Sequence, residues 1–198
     1  GPAPLPLAAS SLKSVAVLGP NANLSKAVAG YYGGNSCGGL FPNMVDAIAA
    51  MGAFTVTTAK GVPSVTSTDT SGVAAAAALA KAADVTVLVL GTDLTVAREG
   101  HDAVDLAFSS GQLALLDAAA AASSSPLIVV TLTAVPLDLS PLLTHPKVGA
   151  LLHVGQPSVQ TAGAAHVLFG LKSPAGKAIQ TVYPASYAAH RPLPPPPP

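Results

Sequence analysis

Tryptophan is missing from this 198-residue sequence, and aromatic residues of every kind make up only 4% of it. Its hydrophobic half must therefore come mostly from Val, Leu, Ile and Ala, which build a core of aliphatic side chains. Charge is scarce as well: Asp, Glu, Lys and Arg together account for 9%, with nine basic residues against nine acidic ones. A chain without net charge has no long-range field to draw it to nucleic acid or to an anionic membrane, and neither is expected as a partner. Cys37 is the single cysteine, so the fold cannot rest on an intrachain disulfide. No apolar run approaches the roughly 18–20 residues that cross a bilayer. The first residues show no basic stretch followed by an apolar one of the kind that directs secretion. The length suits one domain with a substantial core.

What is present is arranged in order. Both ends are rich in proline, "GPAPLPL" and "HRPLPPPPP", which favours extended polyproline II over packed core. Residues 1–13 read as a linker or tag remnant, 188–198 as a polyproline tail, and 14–187 as the folded part. Within it, β-branched apolar runs at 14–19, 54–59, 84–91, 126–133 and 148–155 read as strands covered on both faces. Helices are expected between them, over 43–52 with Gly52 just past the end, 70–83, 109–122 and 158–170. Ser109 stands three residues before Gln112, the spacing of a capping box. Alternation of this kind predicts an α/β fold, a three-layer αβα sandwich with a mostly parallel sheet of five to six strands.

Ligands of such sheets bind outside the carboxyl ends of the strands. There, directly after "DVTVLVL", the stretch "GTDLTVAREGHDAVDL" gathers Asp93, Arg98, Glu99, His101, Asp102 and Asp105 in sixteen residues. A carboxyl such as Glu99 on a loop at that crevice can serve as a general acid or base, whereas the simpler reading is a solvated loop glutamate beside Arg98. His101 and Asp102 suggest a metal only weakly, since no second histidine stands at ligand spacing, and neither metal nor cofactor is expected. "GNSCG" matches the G-x-S-x-G nucleophile motif with Ser36 in place, and Asp138 and His153 would follow in triad order. Its flanks, "AGYYG" and "GLFPN", are neither strand nor helix, so a glycine-rich loop is the preferred reading. "GPNAN" follows the first strand without a phosphate-loop pattern. His153 reads as a hydrogen-bonded wall residue, and Tyr31 and Tyr32 as a sugar-stacking pair, a contact to a neighbouring domain, or a cover for the sheet edge.

Several segments, taken together and in order, resemble the C-terminal α/β-sandwich domain of glycoside hydrolase family 3, in its β-xylosidase and β-glucosidase branches. They are "VAVLGPNAN", "GYYGGNSCG", "ADVTVLVLGTDLTVAREGHD" and "HVLFGLKSPAGKAIQTVYPASY", spanning about 14 to 187. The resemblance implies a retaining β-glycosidase of carbohydrate catabolism, with Glu99 as its general acid/base. Arg98, His101 and Asp102 would then be substrate-binding or loop-anchoring residues. The family pattern E-G-x-D-R reads here Glu99-Gly100-His101-Asp102-Ala103, with Ala in place of the usual Arg. Cys37 also lacks the second cysteine that pairs with it in some relatives.

The nucleophilic aspartate implied by the resemblance belongs to a separate (β/α)₈ barrel in front of this domain. Retaining hydrolysis needs two carboxyl groups about 5–5.5 Å apart, so the chain is expected to be half of an active site and inactive by itself. Its expected partners are a barrel, in cis or in trans, and β-linked xylosides or glucosides. Without the barrel, the loop from Thr92 to Asp105 should leave Glu99 in water. The alternative is a non-catalytic carbohydrate-binding or scaffold module derived from the same domain. Secretion is implied by the family alone.

Overall fold

The computed structural model describes residues 4–25, 41–156 and 161–187. Five parallel strands form one sheet: β1 (Ser14–Leu18), β2 (Thr55–Ala59), β3 (Val85–Gly91), β4 (Leu127–Leu132) and β5 (Val148–Gly155), in the order β2-β1-β3-β4-β5. The helices are α1 (Met44–Ala49), α2 (Val73–Ala82), α3 (Ser110–Ala122), the short α4 (Ser140–Leu143) and α5 (Thr161–Leu168). Parallel neighbours require a crossover, and among the described residues each interval between strands holds one α-helix.

The strands divide their side chains between two cores. Val15, Val17, Val87, Val89, Ile128 and Val130 pack on one face with Met44 and Ile48 of α1 and Leu168 of α5. Ala16, Leu18, Leu88, Leu90 and Val129 pack on the other with Ala76, Leu115, Leu116 and Leu142, from α2, α3 and α4. Every residue of β4 is buried, and all but the first of β1 and of β3. The edge strands differ: β2 and β5 are only partly covered, because each has a neighbour on one side alone. Alanine takes part of the place of aromatics: Ala76 and Ala80 of α2 and Ala119 and Ala120 of α3 are buried in the second core.

Strand positions follow the apolar runs to within a residue or two; helix ends follow them less closely. α1 stops at Ala49, short of the expected end. Gly52 is not in the left-handed region of a C′ glycine; an i to i+3 bond from Met51 N–H to Ile48 O closes the helix and turns Phe54 into the core. α1 instead carries a capping box at its start, with Asn43 Oδ1 accepting from Asp46 N–H and Asp46 Oδ2 from Asn43 N–H. Gly170, with φ +72°, closes the turn past the end of α5 as expected, with Leu171 N–H bonded to His166 O and Gly170 N–H to Val167 O.

At the amino edge, Asp84 Oδ2 accepts from Lys13 and Ser14 N–H at 2.7 and 2.9 Å and fixes the start of β1 beside that of β3. At the carboxyl edge, β3 leaves the sheet through Gly91, whose φ is +145° and whose missing Cβ would lie 1.8 Å from Leu132 O. No side chain fits there. Gly91→Ala should therefore cost about 3 kcal/mol or more in urea denaturation, from strain and clash together. Gly163→Ala, in α5 with open space around it, should gain about 0.5–1 kcal/mol through helix propensity.

Candidate active site

The strand order reverses direction between β1 and β3, and the loops after these two strands diverge to leave a crevice at the carboxyl edge. A depression of about 440 Å³ opens there. Its walls come from three loops: Pro20 and Leu24 after β1, Lys60 and Pro63 after β2, and Asp93 and Leu94 after β3. The charged loop starts from this place.

Its root is closely bonded on several sides. β1 ends at Leu18, opposite Leu88, so β3 continues for three residues with no strand on that side. The side-chain amide of Gln112, from the first turn of α3, takes the empty place. Oε1 accepts from Gly91 N–H at 2.9 Å, and Nε2 donates to Gly91 O at 3.0 Å and to Val65 O at 2.7 Å. Thr92 is held from the other directions: its N–H donates to Leu132 O at 2.9 Å, and its carbonyl accepts from Asn21 Nδ2 at 2.8 Å. Its hydroxyl lies 2.8 Å from that of Thr133. Each buried group left unpaired here would cost about 1–3 kcal/mol, which explains why four polar side chains, those of Gln112, Asn21, Thr92 and Thr133, are buried at one point.

Beyond the root the loop is held by its own bonds. Asp93 Oδ1 accepts from Thr95 N–H at 2.8 Å and from the Thr95 hydroxyl. Arg98 Nη1 donates to Leu94 O at 2.9 Å. Arg98 and His101 exchange two backbone bonds of 2.9 Å, which makes a tight turn with Glu99 and Gly100 at its tip; Gly100 has φ +70°. The far end is secured where Asp138 N–H donates to Leu106 O at 2.7 Å and Phe108 enters the core. Ser109 then caps α3, accepting from Gln112 N–H at 3.3 Å. Only this half of the expected capping box forms, because the Gln112 side chain is committed to Gly91.

Glu99, Arg98, His101 and Asp102 are all exposed. The turn places Glu99 at the point of the loop farthest along the chain from both anchors. Arg98 is turned back into the loop, whereas among the described residues no hydrogen bond holds the carboxylates of Glu99 and Asp102. No group of three or more His, Cys, Asp or Glu side chains converges as a metal site among the described residues. Asp93, Leu94 and Thr95 of the loop line the depression, and Glu99 lies beyond them at the exposed tip, where a carboxylate can give or take a proton on a ligand that enters from the solvent side.

Tyr31, Tyr32, Ser36 and Cys37 lie outside the described residues. Asp138 and His153, the other two members of the possible triad, are described and serve elsewhere. Asp138 Oδ1 accepts from Ser140 N–H and Oδ2 from Ala185 N–H, both at 2.9 Å. Burial pushes the Asp138 pKa up, but these bonds outweigh it and hold the carboxyl below its ordinary value. His153 Nδ1 lies 2.8 Å from the hydroxyl of buried Thr131, as a wall residue should, and burial pushes its pKa down. Gln112, Asn21, Thr92 and Thr133 are the residues that the sequence reading passed over. Uncharged and scattered, they gave no signal except the position of Gln112 three after Ser109.

A doubly wound parallel domain with a carboxylate-bearing loop at its carboxyl edge is a class shared by many ligand-binding and catalytic proteins. The particular family is settled by comparison: residues 3–193 match the glycosyl hydrolase family 3 C-terminal domain, and the chain belongs to that family. Beta-xylosidase/alpha-L-arabinofuranosidase 2 of Medicago sativa subsp. varia is 34% identical over 191 residues, 96% of this chain and 24% of the relative. Exo-1,4-beta-xylosidase xlnD of Aspergillus awamori is 39% identical over 184 residues, 90% of this chain and 22% of the relative. Among solved structures, a GH3 exo-beta-xylosidase (XlnD) in complex with a xylobiose aziridine activity-based probe superposes with a TM-score of 0.86. It is 32% identical, and the match covers 93% of this chain and 23% of that one. The chain thus spans about a quarter of the length of the curated relatives it matches.

The two bonds to Asp138 join the segment around Ala185 to the turn before α4. Asp138→Ala should cost about 1.5–3 kcal/mol, the usual value for charge-assisted bonds, and should speed amide exchange at Ala185. Because the folded-state pKa is depressed, this stabilisation is complete above the ordinary carboxylate range and is lost as pH falls through the lower value. Denaturation of wild type and variant should therefore differ fully at pH 7 and converge only as pH falls below the ordinary carboxylate range, through the lowered Asp138 value.

Proposed function

We propose that this chain is the acid/base domain of a retaining β-glycosidase acting on β-linked xylosides or glucosides, completed by a (β/α)₈ barrel that brings the nucleophile. The observation that carries the reading is the placement of Glu99 at the tip of the β3 loop, in a chain that matches the family along nearly its whole length. In the first step the Glu99 carboxylic acid would protonate the glycosidic oxygen while the barrel's carboxylate attacks the anomeric carbon. In the second the Glu99 carboxylate would take a proton from water as that water attacks the anomeric carbon and the barrel's carboxylate leaves it. The chain supplies the proton relay and one wall of the crevice; the barrel supplies the nucleophile and encloses the sugar.

A second reading, a carbohydrate-binding or scaffold module without catalysis, is favoured by Ala103 in the place of the family's arginine. The two readings part in one experiment. The chain is joined behind the barrel of a xylosidase relative and assayed on aryl xylosides and glucosides with activated and poor leaving groups. The isolated chain should be inactive. In the joined enzyme Glu99→Gln should lower turnover of a poor leaving group by about 10²–10⁴-fold and spare an activated one more, because that one needs little acid help. Full activity of Glu99→Gln on the poor leaving group would remove Glu99 from the reaction. No turnover by the joined wild type, with calorimetric binding of xylose or short xylans to the chain, would establish the module instead.

A further inference from the structure

We infer that Gln112 is a positioning residue for the acid/base loop, and that it sets the reach of Glu99 into the crevice by fixing Gly91 and Val65 with one side chain. The inference rests on the acid/base role proposed for Glu99. Gln112 is 1% exposed and uses both atoms of its amide. One pair of bonds grips both backbone groups of Gly91, the last residue of β3, and the third reaches Val65, in the wall of the 440 Å³ depression. The root of the loop that carries Glu99 and the Val65 wall of the depression are thus referred to the same atom, Nε2.

Two further features show that this junction is built to a fixed spacing. Gly111, the neighbour of Gln112, lies against the β2–α2 loop so closely that a Cβ would stand 2.3 Å from Ser67 O. Between the root at Gly91–Thr92 and the far anchor at Leu106, the hydrogen bonds of the loop among the described residues are made within the loop itself. These bonds run from Asp93 to His101, so that stretch is held as a unit on the root at Gly91–Thr92. Displacement at Gly91 is therefore transmitted to the turn at Glu99, and misplacement of a reacting group by about 1 Å can cost on the order of 10²-fold in rate.

Gln112→Met keeps the length and volume of the side chain and removes all three bonds. Gln112→Glu keeps the shape and makes the anchor depend on protonation. Its neutral acid can accept from Gly91 N–H and donate to one carbonyl, whereas its carboxylate faces Gly91 O and Val65 O without a proton to share. Both are made in the barrel-joined enzyme, beside Glu99→Gln, and assayed well below their melting temperatures. Gln112→Met should lose about 10- to 100-fold in kcat on a poor leaving group, with a much smaller loss on an activated one and KM little changed. Gln112→Glu should lie between wild type and Gln112→Met at low pH and fall toward the latter as pH rises, a limb absent from the other profiles.

An equal loss on both leaving groups would make Gln112 an ordinary structural residue and overturn the inference. So would poor-leaving-group activity within about twofold of wild type in Gln112→Met while Glu99→Gln loses it; the acid/base role would then stand alone. If Glu99→Gln keeps its poor-leaving-group activity, that role and this inference fall together.

Discussion

The carboxyl edge of this domain depends on one constraint: β3 runs three residues past β1 and must still satisfy its backbone. Main-chain N–H and C=O groups buried away from water are expensive to leave unpaired, and a strand whose neighbour has ended has no ladder to offer them. Gln112 supplies a side-chain amide in the geometry of the missing peptide, and Asn21 and Thr133 attend to Thr92. The elements they come from are thereby tied together: α3, the loop after β1, and the end of β4. The place where a parallel sheet offers a ligand site is also the place where its ladder runs out. The bonding that closes the one prepares the other.

This explains which parts of the molecule were legible in sequence. Runs such as "DVTVLVL" and "PLIVVTLT" announce central strands because burial on both faces leaves no alternation to misread. The edge strands "FTVTTA" and "VGALLHVG" were found by the same signal, although the structure shows them only partly covered. Periodicity does not record how many neighbours a strand will have. Charge scarcity made the Glu99 loop conspicuous, and its place after β3 followed from the alternation of elements. Gln112 was visible only as half of a capping box, since its true partners stand 21 and 47 residues away in sequence. Local spacing identifies caps; it cannot identify a side chain that substitutes for a strand. α4 was missed because four residues containing a proline carry no helical period.

Ala103, which stands where the resemblance implies an arginine, bears on both functional readings, and the structure changes its weight. An arginine fork holds a loop by gripping carboxylates or carbonyls, so its loss suggests a loop without a fixed shape. Here the turn at Glu99 is made by two backbone bonds between Arg98 and His101, and the approach to it by Asp93 and by the Arg98 guanidinium on Leu94 O. None of these bonds involves residue 103. A loop whose form is carried by its main chain and by an arginine five residues earlier keeps that form with alanine at this position. The module reading needs the loop to have lost the geometry that presents an acid. The bonds on either side of Glu99 fix the turn at the loop tip without residue 103, so Ala103 is compatible with that turn.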